Sequence, residues 1–368
     1  MTLAFPFGKN DCQANAFLKE LPMMNETITE KPDFDFENFT FGVQATDQML
    51  VAKYENGAWS NFQIGPVKNI SLSPLAMCLH YGQTVFEGLK AFKTTDGKIN
   101  IFRLESHFKR MNRSLERMAM PALPASCFID GIRELVSKES QWVIDDPEYA
   151  LYIRPFAIAT ENKLGVDASH DYLFMVILSP LKAYYNSPLR VVVETNYIRS
   201  AKGGAGAAKN GGNYGASLLP QQKAKKEGFD QIIWLDSNEK KYIEESGTMN
   251  IMFILNGKTL LTPALSDSIL DGITRDSIIK LAPELNLEVE ERSIQISEII
   301  DRIASGEQVE GFGVGTAAVI SPIKEISYKG DSFETYVQED AGMYRIKEML
   351  SEIRRGIRPD PFGWSDLV

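Results

Sequence analysis

The sequence predicts a mixed α/β (α+β) protein of two domains, and three observations support this class. Its 368 residues are more than one hydrophobic core usually holds. Hydrophobic residues make up 44% and charged residues 24%, the balance of a soluble globular chain. Strand-like and helix-like patterns alternate along both halves. The stretch from Ser179 to Leu189 contains two prolines and several small polar residues, so we place a linker at 181–189, between domains at 1–180 and 190–368.

The composition excludes several functional classes. A net charge of −10 argues against nucleic acid as the main partner, because phosphate backbones bind basic surfaces. The cysteines (Cys12, Cys78 and Cys127) and the histidines are dispersed, so neither a disulfide framework nor a metal site is expected. The N-terminus has no signal-peptide or transit-peptide pattern, and no apolar run has the length of a membrane span. A cytoplasmic enzyme is therefore predicted.

Two hairpins are predicted in the first half. The run 49–59 contains a Glu-Asn-Gly turn, and the run 89–102 contains an Asp-Gly turn between alternating apolar and polar residues. The segment 80–89 between them is rich in aromatic residues and glycine and has no simple period. Its pattern alone favours a short buried helix. The alternative is that Tyr81 and Phe86 line an apolar cavity.

Two amphipathic helices follow, at 104–118 and 126–142. In the first, Leu104, Met111 and Leu115 belong to one apolar stripe with three- and four-residue steps. Arg110 adjoins this stripe, and an arginine at the edge of a core requires an anionic partner. That partner is either a structural carboxylate or a bound phosphate.

Two strands complete this half. The strand at 148–158 places Tyr152 and Arg154 on one face, where a phenol and a guanidinium form a ready carboxylate clamp. A structural salt bridge at Arg154 is the alternative. The continuous apolar run 171–178 predicts a central strand.

The second half begins with strands at 191–193 and 232–235 that flank a helix at 218–226. Before this helix, Lys209 stands alone in a run of glycine and alanine, with Tyr214 five residues later. A reactive lysine and a flexible glycine loop both explain such a run. A phosphate-binding G-x-x-x-x-G-K-[ST] loop does not, because Ala208 and Asn210 occupy its defining positions.

Three further features bear polar groups. Glu245 precedes Ser246, Gly247 and a buried strand, where it is either a turn residue or the partner of a buried cation. A helix is predicted to begin near Thr274, and the free N–H groups of a helix start bind anions. The strand 310–320 contains Gly-Val-Gly-Thr, whose amides and Thr316 hydroxyl would suit an anion. A helix at 338–355 closes the chain.

Together, these features match the needs of pyridoxal phosphate: a lysine for a Schiff base, a carboxylate for the pyridine nitrogen and several groups for the phosphate. From Phe39 to Trp364, the sequence resembles the branched-chain amino-acid aminotransferases of the fold-type IV group. The motifs that carry the resemblance are His80-Tyr-Gly-Gln-Thr-Val-Phe-Glu-Gly88, Tyr152-Ile-Arg-Pro155, Lys209-Asn-Gly-Gly-Asn-Tyr214, Glu245-Ser-Gly-Thr-Met-Asn250, Gly272-Ile-Thr-Arg275 and Gly315-Thr-Ala317.

The resemblance implies a role for each matched position. Lys209 would form the Schiff base and carry the proton, Glu245 would pair with the pyridine nitrogen, and Tyr214 with the ring oxygen. The phosphate would be bound by Arg110, the amides of Ile273 and Thr274, and Thr316, with Thr248 also beside the cofactor. Tyr152 and the amides of Thr316 and Ala317 would hold the α-carboxylate, and Arg154 glutamate's distal carboxylate, with Tyr81 of the partner subunit. The apolar pocket would comprise Phe86, Tyr184, Thr248 and the partner subunit's Val166.

The implied fold has a smaller α/β N-terminal domain and a larger barrel-like C-terminal domain, in a homodimer. The implied reaction moves the amino group of leucine, isoleucine or valine to 2-oxoglutarate in two ping-pong halves. Where some relatives have a redox-sensitive C-x-x-C, this chain has Ala318 and Ser321, so thiol regulation is not expected there. The alternatives are D-amino-acid aminotransferase or aminodeoxychorismate lyase of the same fold, and a phosphate-ligand binding protein without chemistry.

Overall fold

The computed structural model describes residues 34–36, 38–182 and 187–368. The strands, in chain order, are β1 (Gln48–Glu55), β2 (Ala58–Trp59), β3 (Gln63–Pro66), β4 (Thr84–Phe86), β5 (Leu89–Lys93), β6 (Ile99–Phe102), β7 (Ala150–Ala159), β8 (Tyr172–Leu181), β9 (Leu189–Val193), β10 (Gln231–Leu235), β11 (Ile243–Ser246), β12 (Met249–Leu255), β13 (Thr259–Pro263), β14 (Glu288–Arg292), β15 (Val309–Gly315), β16 (Val319–Tyr328), β17 (Asp331–Glu334) and β18 (Ser365–Leu367). The α-helices are α1 (Cys78–Tyr81), α2 (Leu104–Arg117), α3 (Gly131–Lys138), α4 (Gly211–Gly215), α5 (Leu218–Lys226), α6 (Ile273–Leu281), α7 (Ile296–Ala304) and α8 (Gly342–Arg354).

The first sheet has the strand order β18-β6-β5-β7-β8-β1-β2, with β3 paired to β1 and β4 to β7. Both predicted hairpins are confirmed: β1 pairs with β2, and β5 pairs with β6, in antiparallel register. The first turn places Asn56 and Gly57 at positive φ, the conformation that a two-residue hairpin turn requires. The predicted central strand, β8, lies between β7 and β1.

Helix α2 buries its apolar stripe against this sheet. Leu104, Met111 and Leu115 are fully buried in the core cluster that the sheet and α3 share. Burial of each such side chain contributes about 1.5–3 kcal/mol relative to exposure. The stripe therefore fixes which face of α2 points inward, and Arg110, beside the stripe, is buried as well.

The second sheet is barrel-like, as predicted. Its strands run in the order β11-β10-β9-β16-β15-β12-β13-β14, and an additional β11–β12 pairing closes β9, β10, β11, β12, β15 and β16 into a ring. The ring is mixed, because β9 pairs in parallel with both β10 and β16, whereas the other neighbouring strands of the ring pair antiparallel. The mixed α/β class is thereby confirmed.

Two local predictions were wrong. The segment 80–89 is not a buried helix: α1 is exposed and ends at Gly82 in the left-handed region, and β4 then pairs with β7, with Val85 opposite Ala157. Main-chain pairing to a neighbouring strand, which a local pattern does not reveal, decides this segment. The predicted helix at 126–142 begins instead as a wider π-helical turn at Ser126–Asp130, before α3 starts.

The C-terminal segment returns to the first sheet. Strand β18 pairs antiparallel with β6, and Arg133 of α3 binds both carboxylate oxygens of Asp366 at 2.8 and 2.7 Å. The last residues of the chain thus pack on the sheet formed by its first half, while the division at 181–189 stays a prediction. None of the helices in the described part of the chain combines the length and apolarity that a bilayer crossing requires.

Candidate active site

A cavity of about 440 Å³ lies between the two sheets. The predicted site residues that line it are Phe86, Arg110, Tyr152, Arg154, Lys209, Tyr214, Glu245, Thr248, Ile273, Thr274, Thr316 and Ala317. Tyr81 and Val166 are not among the lining residues and lie on the exposed surface. Tyr184 lies outside the described residues. Most of the positions selected from sequence therefore meet at one place.

Lys209 projects from a loop that is anchored on both sides. Its amide donates to Ser114 Oγ of α2 at 3.0 Å, and its carbonyl accepts from the amide of Phe86 at 3.0 Å. The Nζ atom donates to the Tyr214 hydroxyl at 2.7 Å and lies 4.7 Å from the centre of the Phe86 ring. Among the described residues, no carboxylate forms an ion pair with this amine. A fixed amine without an acidic partner suits a nucleophile better than the flexible-loop alternative does.

The small residues before Lys209 permit close packing of two loops. A Cβ atom on Gly206 would lie 2.5 Å from the Ser268 carbonyl oxygen and 2.6 Å from Ser200 Oγ, so a larger residue there would displace the backbone. Asp267 tightens the same contact, because its carbonyl accepts from the amide of Ala207 at 2.9 Å. The absence of a side chain at Gly206 thus sets the distance between the lysine loop and the loop at 266–270.

Glu245 is a buried partner of a cation, not a turn residue. It lies in β11 and is 2% exposed. Its Oε1 accepts from the amide of Leu270 at 2.7 Å, and its Oε2 lies 3.0 Å from Nε of Arg199. Burial raises the pKa of Glu245, and the Arg199 guanidinium and the Leu270 amide oppose that rise. Arg199 is therefore the largest influence that favours the charged form of this carboxylate at the cavity wall.

Arg110 has the structural carboxylate that its position required. Its Nε and Nη2 bind the two oxygens of Glu87 at 2.7 and 2.8 Å, and His107 Nδ1 lies 2.8 Å from the same carboxylate. Although burial alone would raise it, Arg110 and then His107 hold the pKa of Glu87 well below its usual range. Arg110 also donates to the Asp271 carbonyl at 2.9 Å and lines the cavity, so the structural carboxylate is confirmed while phosphate binding stays a prediction.

The start of α6 opens into the cavity without a side-chain cap. Gly272 is the N-cap residue, two positions before the predicted Thr274. The N-cap is glycine because Asn250 fills the space: a Cβ atom on Gly272 would lie 1.8 Å from Asn250 Oδ1. The first N–H groups of a helix have no intrahelical partner, and the helix dipole favours an anion there. Ile273 and Thr274 line the cavity at this helix start, and their role as an anion site stays a prediction.

The turn between β15 and β16 also reaches the cavity, and its anion-binding role stays a prediction. Thr316, Ala317 and Ala318 line the cavity, and the register closes the hairpin at Gly315 opposite Val319. Val319 is β-branched and has a φ of +61°, a conformation that costs about 1–3 kcal/mol. Such strain persists only where the surrounding structure holds it in place.

Tyr152 and Arg154 lie together on the cavity face of β7. Arg154 Nη2 donates to the Tyr152 hydroxyl at 2.9 Å, and its guanidinium lies 4.8 Å from the centre of the Phe86 ring. No carboxylate of the described residues pairs with Arg154, and its buried Nε has no hydrogen-bond partner there. Gly88 makes room for the phenol, since a Cβ atom there would lie 2.0 Å from the Tyr152 hydroxyl. The clamp interpretation fits this pair better than a salt bridge does.

Several functional residues were missed by sequence reasoning. Glu87 lies inside the motif at 80–88 but was not assigned a role, and His107 was noted only as a dispersed histidine. Arg199 gave no signal other than its place just before the glycine-rich run. Ser114 appeared only as a polar residue within an amphipathic helix. Each of them acts by contact with a residue distant in sequence, which no local pattern predicts.

Comparisons with known proteins identify the family to which this chain is similar. The family model described as amino-transferase class IV matches residues 84–326. The branched-chain-amino-acid transaminase 1 of Bacillus subtilis (strain 168) is 43% identical over 357 residues, which cover 95% of this chain and 99% of that protein. The branched-chain aminotransferase of Thermoproteus uzoniensis with norvaline has a TM-score of 0.72 and 26% identity, over 87% of this chain and 99% of that one. A T.th. branched-chain amino acid aminotransferase complexed with N-(5'-phosphopyridoxyl)-L-glutamate has a TM-score of 0.68 and 27% identity, over 88% and 99%.

Proposed function

The chain belongs to the class IV amino-transferase family, and we propose that it transfers the amino group of L-leucine, L-isoleucine or L-valine to 2-oxoglutarate. The products are the branched-chain 2-oxo acid and L-glutamate. The observation that carries the proposal is the shared cavity of Lys209, Glu245 and Arg110 with the Tyr152–Arg154 pair. The comparisons support branched-chain amino-acid transamination and do not support the D-amino-acid alternative.

Pyridoxal 5'-phosphate is the cofactor that we propose for this cavity. When bound, it would supply a carbonyl carbon for amines and a ring that accepts electrons from the substrate's Cα. The residues present fit it: Lys209 offers an amine that no carboxylate of the described residues pairs with, Glu245 a buried carboxylate, and α6 an N-terminus without a side-chain cap. The phosphopyridoxyl group in the T.th. relative supports this assignment.

Lys209 is the catalytic residue of the proposal. Its Nζ would hold the cofactor covalently and, once free, would remove the proton from the substrate's Cα and return it. The Tyr214 hydroxyl, which accepts from Nζ at 2.7 Å, keeps the amine oriented within the cavity. Both groups lie against the Phe86 ring, which excludes water from one side of the amine.

The remaining cofactor residues bind or stabilise charge. Glu245 would hold the proton on the pyridine nitrogen, which requires its carboxylate to be ionised, and Arg199 favours that form. Arg110, the amides at the start of α6 and the Thr316 hydroxyl would hold the phosphate, and Thr248 lies beside them on the cavity wall. Because Glu87 neutralises Arg110, the helix dipole carries part of the charge that the phosphate needs.

The residues that we assign to each part of the substrate follow from the charged and polar groups on the cavity wall. Tyr152 and the amides of Thr316 and Ala317 would bind the α-carboxylate that all substrates share. Arg154, the lining arginine without a carboxylate among the described residues, would receive the distal carboxylate of glutamate. Phe86 and Thr248, with Tyr184, would form the apolar pocket for the branched side chain.

We also propose that the active chain is a homodimer. The loops at 75–81 and 162–166 join through the Tyr81 hydroxyl, which donates to the Leu164 carbonyl, and through the Lys163 amide, which donates to the Leu75 carbonyl at 3.1 Å. Together they expose a cluster of apolar side chains, in which Val166 is 85% exposed. A second copy would cover this cluster and bring Tyr81 of the partner subunit and the partner subunit's Val166 to the site.

The test is a substrate panel on the purified protein with added pyridoxal phosphate. We expect a yellow preparation that borohydride bleaches, and transfer from L-leucine to 2-oxoglutarate far above transfer from D-alanine. A preparation that stays colourless with the cofactor, or that prefers D-alanine, would refute the proposed function. Sedimentation of the wild type against Val166→Asp tests the dimer, and a monomeric wild type would contradict it.

A further inference from the structure

Lys90 of β5 is a buried lysine outside the cavity wall. It is 7% exposed, and its Nζ donates to the carbonyl oxygen of Ala317 at 2.8 Å. No ion pair joins it to a carboxylate of the described residues. A buried lysine normally requires such a partner, because removal of an ammonium group from water costs several kcal/mol. Its hydrogen bond to Ala317 therefore needs a functional explanation.

The groups that face Lys90 are positive. Arg354 of α8 is also buried, it too has no carboxylate partner among the described residues, and its guanidinium lies 4.7 Å from the centre of the Phe102 ring. Lys347, on the same helix, is exposed. Burial first, then Arg354 and Lys347, hold the pKa of Lys90 well below its usual value. An anion bound nearby would reduce the repulsion among these positive groups, and it would favour the charged form of Lys90.

Lys90, which does not line the cavity, contacts the turn that we propose to bind the substrate's carboxylate. Thr316, Ala317 and Ala318 line the cavity, whereas Lys90 does not. A trans peptide is planar and its C=O and N–H groups point in opposite directions, so a carbonyl of Ala317 held by Lys90 directs the N–H of Ala318 away from Lys90. The strained backbone of Val319 follows directly, and such strain persists only where surrounding contacts hold the backbone in place.

The sheet register places Lys90 beside Tyr152, which we propose to bind the substrate's α-carboxylate. Lys90 and Tyr152 are directly opposite each other in the β5–β7 pair, so their side chains leave the same face of the sheet. Tyr152 lines the cavity, and Lys90 reaches the turn behind it. One pair of neighbouring strands thus supplies both a cavity-facing phenol and a clamp on the turn.

We propose that Lys90 is a positioning residue for the substrate's carboxylate, because its amine clamps the Ala317 carbonyl and so fixes the peptide that directly follows the Thr316 and Ala317 amides of the proposed carboxylate site. This inference rests on the proposed function, and it names the residue that maintains the carboxylate site of that function. Lys90 touches neither substrate nor cofactor in this role. Because Lys90 would act through the turn, its removal would weaken carboxylate binding equally for the amino acid and for the 2-oxo acid.

The test compares two inhibitors that differ only in charge at the carboxyl position, isocaproate and its neutral amide, isocaproamide. Both have the leucine side chain, and both are measured against leucine-dependent glutamate formation by the enzyme with its cofactor. For Lys90→Met, we expect the inhibition constant of isocaproate to rise about tenfold, equivalent to about 1.4 kcal/mol. That of isocaproamide should stay within about twofold, which on the same scale is about 0.4 kcal/mol.

Lys347→Met is the matched control, since it removes a nearby lysine that does not contact the turn, and it should change neither constant. An equal rise for both inhibitors with Lys90→Met, or no rise for either, would overturn the inference. If Lys90→Met does not fold, Lys90→Gln is measured instead. A rise for isocaproate alone then supports the inference, and an equal rise or no rise overturns it. A wild type that does not transfer from leucine at all refutes the proposed function instead, so the two failures are distinguishable.

Discussion

Nε of Arg199 lies 3.0 Å from a carboxylate oxygen of Glu245, and both side chains are almost completely buried. Arg199 directs its other donors to main-chain oxygens, with Nη1 2.7 Å from the Ser268 carbonyl and both terminal nitrogens 3.3 Å from the Gly206 carbonyl. The same guanidinium thus holds the lysine loop, the loop at 266–270 and the carboxylate in one arrangement.

The first prediction concerns this pair. In Arg199→Met, the pKa of Glu245, already raised by burial, should rise further because its main opposing charge is gone. The acid limb of the kcat–pH profile should therefore move to higher pH, and kcat should fall at least about tenfold at neutral pH, about 1.4 kcal/mol. Loss of one partner of a buried pair should also lower stability by about 3–5 kcal/mol.

Arg117→Met is the control for Arg199. Arg117 donates to the carbonyls of Gly203 and Gly204 in the same loop, but it forms no ion pair with Glu245. The Arg117→Met variant should leave the acid limb of the kcat–pH profile unchanged. If both variants move the limb by the same amount, Arg199 acts only by holding the loop.

Lys209→Ala should abolish turnover, because no other amine of the described residues lines the cavity. Mass spectrometry after borohydride reduction with the cofactor should find the adduct on Lys209 in the wild type and none in the variant. Lys202, an exposed lysine of the same loop, provides the control: Lys202→Ala should keep both the adduct and the rate. Wild-type rates in Lys209→Ala would disprove the mechanism.

Glu87→Gln should destabilise the protein, since it leaves Arg110 buried without a counter-charge, at a cost of about 3–5 kcal/mol. The pKa of Glu87 is lowered in the folded state, so its contribution is present above the ordinary glutamate pKa of 4.5 and is lost as pH falls below it. Urea unfolding should accordingly show a large difference at neutral pH that shrinks below about pH 4.5.

Glu105→Gln on the exposed side of α2 is the matched control for Glu87. Its partner is Lys109 at the surface, and such pairs contribute about 0–1 kcal/mol. A Glu87→Gln protein as stable as Glu105→Gln at neutral pH would mean that the buried pair adds nothing.

Arg154→Met should separate the two half-reactions. Without the guanidinium, KM for 2-oxoglutarate and glutamate should rise at least about tenfold, near the 1.5–3 kcal/mol expected for a hydrogen bond to a charged group. KM for leucine, which has no distal carboxylate, should change little and serves as the internal control. Equal rises for leucine and glutamate would place Arg154 outside distal-carboxylate recognition.

Gly206→Ala tests the close packing of the loops. The added Cβ atom would meet the Ser268 carbonyl oxygen, which is backbone and cannot move aside freely, so a loss of about 1–3 kcal/mol is expected. In Gly215→Ala, by contrast, the Cβ atom would meet nothing within 4 Å, and α4 should tolerate or prefer alanine. Thermal unfolding of the two variants checks this contrast, and similar Tm values would contradict it.

Features that depend on short-range pattern were predictable. The turn residues of both hairpins and the apolar stripe of α2 were recognised because period and turn chemistry act over a few residues. The segment at 80–89 was not, since its pairing with β7 competes with local preference. The N-cap at Gly272 was missed for a similar reason, because Asn250 occupies the adjacent space.

By itself, the sequence determined the candidates: a lysine among small residues, an arginine at the edge of a stripe, and a Tyr-x-Arg pair on one strand. Only the tertiary structure decided between their alternatives. It paired Arg110 with Glu87, left Arg154 without a carboxylate among the described residues, and placed Arg199 on Glu245 and Lys90 behind the turn. The physical reason is that charge pairing and burial depend on distances between residues far apart in the chain, which the fold alone sets.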